Sequence, residues 1–233
     1  MMKNKNEFPR GLIVSSQALE GNPMKSTEKL ASMAEAAAIG GAAALRVDGA
    51  DMVREMKKRT SVPVIAIKKI RDRSGRIVIT PDFASAKELC DAGADIIALD
   101  ATFYPSELKE DTRTLIARIH NELGAMVMAD ISTAEEARVA TELGADAVST
   151  TLAGYVPGAL HAKNELYTPN FALIKEIADM KLSAALVAEG RFWTPESVVE
   201  AMHLGADAVV IGKAITNPMA ITKYFVSRIG EMI

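Results

Sequence analysis

Cysteine occurs once in 233 residues, tryptophan once and histidine three times, and aromatic residues make up only 5%. The lone Cys90 excludes an intrachain disulfide and fits a reducing, cytoplasmic setting. It lies between Leu89 and Asp91 in a helical pattern, and reads as a small packed residue and not as a nucleophile. His120, His161 and His203 are scattered, with no histidine–carboxylate cluster at metal-ligand spacing, so no transition metal is expected. Acyl-transfer signatures are missing too: there is no Cys–His pair and no Gly-x-Ser-x-Gly elbow. No apolar run reaches the ~18 residues that would span a bilayer, so no membrane partner is expected. Met1 to Glu7 is polar and lacks the apolar core of a secretory signal. Net charge is −3 with both signs dispersed, which leaves no electrostatic footprint for nucleic acid. The one basic cluster, Lys68-Lys69-Ile70-Arg71-Asp72-Arg73, is interrupted by an acid and follows a strand pattern.

Against these absences stands a recurrent phrase. Ile39-Gly40-Gly41-Ala42 is followed by Ala92-Gly93-Ala94-Asp95, Leu143-Gly144-Ala145-Asp146 and Leu204-Gly205-Ala206-Asp207. Each closes a helical pattern and opens a β-rich run, the αβ joint of a parallel sheet. Spaced by about two βα units each time, such joints predict a (β/α)8 TIM barrel, which typically occupies about 250 residues as one domain. Apolar residues, 49% of the chain, suffice for its core, with methionines filling gaps. No linker or low-complexity stretch divides the sequence, so we read residues 1–233 as a single barrel domain with 1–9 as an N-terminal extension.

Eight near-continuous apolar runs read as strands buried on both faces: Leu12–Ser16, Ala43–Val47, Val64–Ile67, Ile96–Leu99, Ala125–Ala129, Ala147–Thr150, Ala184–Ala188 and Ala208–Ile211. Helical periodicity is clearest over Thr27–Ile39, Ser85–Ala92, Leu108–Leu123, Ala134–Leu143, Phe171–Met180, Pro195–Leu204 and Ile215–Ile229. After the turn signal Ser74-Gly75, the run Arg76–Thr80 reads as part of a hairpin inserted in the third βα loop.

Barrel chemistry collects at the carboxyl ends of the strands. Those ends present Gln17, Arg46 with Asp48, Lys68 with Lys69, Asp100, Asp130, Thr150 with Thr151, Glu189-Gly190-Arg191 and Gly212-Lys213. Charge inside a barrel mouth is costly unless paired or used. Some of these groups are expected to make ion pairs that only hold the mouth together. After strands 7 and 8, where many barrels grip a phosphate, Gly190 and Gly212 would let backbone N–H groups approach an anion, with Arg191 and Lys213 as adjacent cations.

Lys69 and Glu189 are the candidates for proton chemistry. A desolvated lysine flanked by the cations Lys68 and Arg46 would have a lowered pKa and could act as a base. Alternation allows only one of Lys68 and Lys69 to face the barrel axis, and the pattern does not say which. Glu189 could either hold that lysine charged or act as an acid.

At this point Gly11-Leu12-Ile13-Val14-Ser15-Ser16-Gln17-Ala18-Leu19, Gly40-Gly41-Ala42-Ala43-Ala44-Leu45-Arg46 and Ile97-Ala98-Leu99-Asp100-Ala101-Thr102 resemble the N-acetylmannosamine-6-phosphate 2-epimerases. So do Met128-Ala129-Asp130-Ile131-Ser132-Thr133, Val148-Ser149-Thr150-Thr151-Leu152-Ala153-Gly154-Tyr155, and Glu189-Gly190-Arg191 with Thr194-Pro195. The likeness runs from about Gly11 to Arg228. It implies a cofactor-free inversion at C2 of a phosphosugar in sialic acid catabolism. It also implies Lys69 as the catalytic lysine, Glu189 as its paired glutamate, Gln17, Arg46 and Asp130 as sugar-binding residues, and Gly190 and Gly212 as phosphate loops. Thr151, Arg191 and Lys213 complete the expected substrate-binding set.

The chain departs from the family pattern at Gly212-Lys213-Ala214-Ile215-Thr216-Asn217-Pro218, where the family usually carries arginine at the position of Asn217. Ser16 stands where cysteine is usual, and the loop from Val156 to Tyr167 has no match. Two other readings fit the same residues: a Schiff-base aldolase using Lys69, and a phosphosugar-binding protein without turnover. A homodimer is compatible with the sequence and not required by it.

Overall fold

The computed structural model describes residues 8–156 and 167–230. Most of the expected N-terminal extension, most of the loop from 156 to 167, and His161 lie outside the described residues. In chain order the elements are β1 (Gly11–Ser16), α1 (Thr27–Ile39), β2 (Ala44–Asp48), α2 (Ala50–Arg59), β3 (Val64–Ile67), β4 (Lys69–Arg71), β5 (Ile77–Ile79), α3 (Phe83–Asp91), β6 (Ile96–Asp100) and α4 (Thr112–Arg118). There follow β7 (Met126–Asp130), α5 (Ala134–Glu142), β8 (Ala147–Ser149), α6 (Phe171–Asp179), β9 (Ala185–Glu189), α7 (Pro195–His203), β10 (Ala208–Ile211), α8 (Lys213–Thr216) and α9 (Pro218–Gly230). Strands β1, β10, β9, β8, β7, β6, β3 and β2 close, in that order, into a parallel barrel, while β4 and β5 form a separate antiparallel hairpin. The (β/α)8 architecture is thus as the joints predict.

Those joints work as the sequence suggests. Gly41, Gly93, Gly144 and Gly205 all have φ between 98° and 109°, a region that only glycine occupies without strain. A side chain at Gly205 would also come within 2.9 Å of the Ala178 Cβ. At the last three joints the aspartate two residues on then reaches across to the preceding strand. Asp95 accepts the Val64 N–H at 2.8 Å, Asp146 that of Val127 at 2.7 Å, and Asp207 that of Leu186 at 2.9 Å. Each satisfies a donor at the start of its neighbour and fixes that strand's register.

Alternation inside the barrel sets up everything above it. Ile13, Ala44, Ile65, Ile67, Ile96, Ala98, Met126, Met128, Ala147, Ala185, Val187, Ala208 and Val210 form one interior cluster, with Phe8 packed among them. The outward positions belong to a second, larger cluster between sheet and helices. Continuing each inward series toward the carboxyl end leads in two residues to Arg46, Lys69, Asp100, Asp130, Glu189 and Gly212, and in four to Gln17 and Thr151, past Ser15 and Ser149.

Three helices differ from expectation. α2 was not among the periodic segments: its polar run Arg54-Glu55 and Lys57-Lys58-Arg59 masks a narrow buried stripe of Met52, Val53 and Met56. The segment read as Leu108–Leu123 begins only at Thr112, where Asp111 caps the helix, and ends in a π-helical turn, Ile119–Leu123. The segment read as Ile215–Ile229 is broken at Asn217-Pro218 into α8 and α9, because proline cannot continue a helix in its interior.

Candidate active site

Arg46 is the centre of the mouth. Its side chain is 1% exposed, and its guanidinium holds Asp130 by two bonds, Nη1 to Oδ1 at 3.0 Å and Nη2 to Oδ2 at 2.6 Å. The same Nη1 lies 3.1 Å from Oε2 of Glu189. Burial works against the cation, yet Asp130 and then Glu189 keep its pKa above the ordinary arginine value. Two carboxylates thus share one fixed positive charge, and the fork geometry assigns Asp130 the larger part.

Lys69 follows Ile65 and Ile67 on the inward face, with its Nζ donating to Oε1 of Gln17. Gln17 is itself oriented by a bond from Nε2 to Ser15 Oγ at 2.9 Å, and the Lys69 N–H is taken by Asp48 Oδ1 at 3.2 Å. Burial lowers the Lys69 pKa; Asp48 opposes this, and Arg46 reinforces it. Lys68, expected to add a flanking cation, instead points to the helix layer and pairs with Glu88 on α3. The depression therefore comes from desolvation and Arg46 without it.

Glu189 stands opposite in character. Burial raises its pKa and Asp130 adds to the rise, while Arg46 and Lys69 hold it back. Its backbone is clamped by Thr150, whose hydroxyl donates to the Glu189 carbonyl and accepts its N–H, both at 2.9 Å. The Thr151 hydroxyl lies 2.6 Å from Asp130 Oδ1, 2.9 Å from Glu189 Oε2 and 2.9 Å from Ser149 Oγ. A lysine pushed toward its neutral form and a glutamate pushed toward its acid form have the tuning that a base and an acid in one mouth would need.

The two glycine loops adjoin, because β9 and β10 are paired. Gly190 has φ 113° and Arg191 φ 65°, so the chain turns sharply in the left-handed region just after Glu189. Arg191 reaches back to the Ala153 carbonyl at 3.4 Å. Gly212 begins α8, and a Cβ there would press on the Ser15 side chain at 3.4 Å. Lys213 follows it and is exposed. Asn217 is engaged structurally: its Oδ1 caps α9 through the Ala220 N–H at 3.0 Å and accepts from Asn22 Nδ2 at 3.2 Å.

Asp100, another buried carboxylate at this end, is neutralised locally by Arg76 of the hairpin and by Lys109 at 3.1 Å. It is one of the ion pairs that hold the mouth. Asp48 and Thr150 stand among the strand-end groups of the sequence but carry no assigned role there, while Ser15 and Ser149 are not among them. The two serines carry no pattern that marks them before the fold is known. Among the described residues no group of three or more histidine, cysteine, aspartate or glutamate side chains could hold a metal ion, and no helix is long and apolar enough to cross a membrane.

A family model described as N-acetylmannosamine-6-phosphate epimerase matches residues 30–231. A protein of Caldanaerobacter subterraneus subsp. tengcongensis, named as an N-acetylmannosamine-6-phosphate 2-epimerase, is 45% identical over 228 residues, covering 97% of this chain and 93% of that one. A relative of the same name from Clostridioides difficile is 42% identical over 218 residues, covering 94% and 95%. The solved structure of the N-acetylmannosamine-6-phosphate 2-epimerase from Clostridium perfringens superposes with a TM-score of 0.86 at 40% identity, over 93% of this chain and 92% of that one. Together with the mouth described above, these matches establish that the chain belongs to the N-acetylmannosamine-6-phosphate epimerase family.

Proposed function

We propose that this protein interconverts N-acetylmannosamine 6-phosphate and N-acetylglucosamine 6-phosphate by removing and returning the C2 proton, as a step of sialic acid catabolism in the cytoplasm. The observation that carries this reading is the opposed tuning of Lys69 and Glu189 around the Arg46–Asp130 pair. In the open-chain sugar, the C1 aldehyde acidifies the proton on C2. The neutral amine of Lys69 takes that proton, and the acid form of Glu189 supplies one to the oxygen on which charge develops. Return of a proton to the opposite face of C2 gives the epimer, and both side chains regain their starting state. Arg46, Asp130 and Gln17 would orient the sugar, with Gln17 also restraining the Lys69 amine. The backbone N–H groups about Gly190 and Gly212, with Lys213 and Arg191 near them, would take the 6-phosphate.

Proton NMR of the 6-phosphate substrate in heavy water tests this directly. The expected result is exchange of C2–H for deuterium as the second epimer accumulates. Borohydride that inactivates the protein in the presence of substrate by modifying Lys69 would favour aldolase chemistry instead. Binding with no C2 exchange would make the chain a phosphosugar-binding protein.

A further inference from the structure

The Thr151 hydroxyl carries a single hydrogen and two lone pairs, yet three oxygens lie within hydrogen-bond distance of it. Two of them belong to carboxyl groups, and one hydrogen cannot serve both. Asp130 has both oxygens occupied as acceptors by the Arg46 fork, the arrangement of an ionised carboxylate. It also makes the shorter contact, 2.6 Å against 2.9 Å. The Thr151 hydrogen therefore goes to Asp130. Glu189 Oε2 then faces a lone pair of Thr151 at 2.9 Å, and an ionised Glu189 would set two acceptors against each other.

We infer that Thr151 is a positioning residue: by donating to Asp130 and accepting from Glu189, it holds Glu189 as the protonated acid. Ser149 fills the remaining lone pair of Thr151 at 2.9 Å and completes the set of one bond given and two received. The other groups facing Glu189 fit this arrangement. Asp130 on β7 is a like charge that disfavours ionisation, whereas Lys69 on β4 and Arg46 on β2 favour it, Arg46 from 3.1 Å on the same Oε2 although its two fork hydrogen bonds go to Asp130. Asp48, also on β2, bears on Lys69 and Arg46. The alternative, a hydroxyl donating to Glu189, would stabilise its carboxylate and so hold its pKa down. The two arrangements predict shifts of opposite sign.

The kinetic arm rests on the proposed epimerase activity; the spectroscopic arm does not. In the first, Thr151→Val, which keeps shape but has no hydroxyl, should move the basic limb of the kcat/KM profile about one pH unit downward. It should lower kcat by roughly 10- to 100-fold, and Thr151→Ser should restore both. A limb that stays in place or moves upward in Thr151→Val, or a Thr151→Ser variant that behaves like Thr151→Val, overturns the inference. In the second arm, infrared difference spectra of the wild-type protein near neutral pH should contain the carbonyl stretch of a neutral carboxyl group, lost in Glu189→Gln. Its absence also overturns the inference, whether or not Thr151→Val folds. A chain that shows this band but no C2 exchange would overturn the functional reading and leave the role of Thr151 standing.

Discussion

Asp95, Asp146 and Asp207 lie at the amino end of the barrel, and Asp130 and Glu189 at the carboxyl end, so one fold displays two uses of the same chemistry. Below, each carboxylate has its own backbone N–H and its own side-chain partner: Lys57 for Asp95 at 3.0 Å, the His120 ring for Asp146 at 2.8 Å, Arg10 for Asp207 at 3.2 Å. Those pairs are separate from one another and reach partly into solvent. Above, two acids share Arg46, which is 1% exposed, and Lys69 stands with them. A carboxylate with a private partner is satisfied in one protonation state. Carboxylates that share a partner leave one of the group close to changing state, which a proton-transfer site requires.

Lys69→Ala should break the upper end most completely. Loss of the proposed base should reduce turnover by at least about 10³-fold. Lys68→Ala, which removes only the surface pair with Glu88, should leave turnover near normal. The ratio of the two kcat values decides it: a sensitive Lys68 would falsify the register and with it the whole mouth assignment.

Glu189→Gln should separate activity from stability. Gln cannot exchange a proton, so substrate should still bind while turnover drops by roughly 10² to 10³-fold. Stability should move the other way. The folded-state pKa of Glu189 is raised above 4.5, chiefly by burial and then by Asp130. Its contribution to stability is therefore full below the ordinary glutamate value and is lost as pH rises through the folded value. The permanently neutral Gln escapes that loss, so the variant should gain stability relative to wild type as pH climbs past the folded value. Urea midpoints across that range check the sign; a gain confined to acid pH would contradict it.

Asp146→Ala is the mirror experiment at the lower end. It leaves the Val127 N–H buried without its acceptor and frees His120. The expected cost is about 1–3 kcal/mol of stability, read by chemical denaturation, with kcat at saturating substrate unchanged. A fall in kcat larger than the fall in folded fraction would mean that the two ends are coupled.

The two ends also differed in how far the sequence revealed them. The lower end was nearly written out, since a glycine at φ near 100° and an aspartate two residues on recur in fixed order. The upper end was legible as a set of residues and not as a set of bonds. Alternation left Lys68 and Lys69 undecided because β3 ends at Ile67 and the hairpin begins at Lys69, so the pattern passes through a change of element. Continuation of Ile65 and Ile67 resolves it only once the inward face is known. The Thr151 hydroxyl needed distances, because no pattern distinguishes a threonine between two acids from one facing solvent. α2 was hidden by its charged residues, and the break at Asn217 by the apolar run on either side.

The smallest effect concerns the phosphate grip, where the upper end meets solvent. Asn217 occupies the position at which the family usually has arginine, but its side chain caps α9 and ties to Asn22. Any side-chain cation for the phosphate must therefore come from elsewhere, and exposed Lys213, directly after Gly212, is the nearest in sequence. As a point charge it lacks the bidentate fork of arginine, and its exposure puts the worth of the contact at the low end for a charge-assisted bond. Lys213→Ala should then raise KM for the phosphorylated sugar by about tenfold, equivalent to ~1.4 kcal/mol, while kcat stays close to wild type. In that background Asn217→Arg should recover part of the affinity. It should also cost about 1 kcal/mol of stability, because arginine cannot replace the cap on α9. A KM unchanged in Lys213→Ala would show that the lysine points away from the phosphate, leaving the grip to Arg191 and the glycine-loop N–H groups.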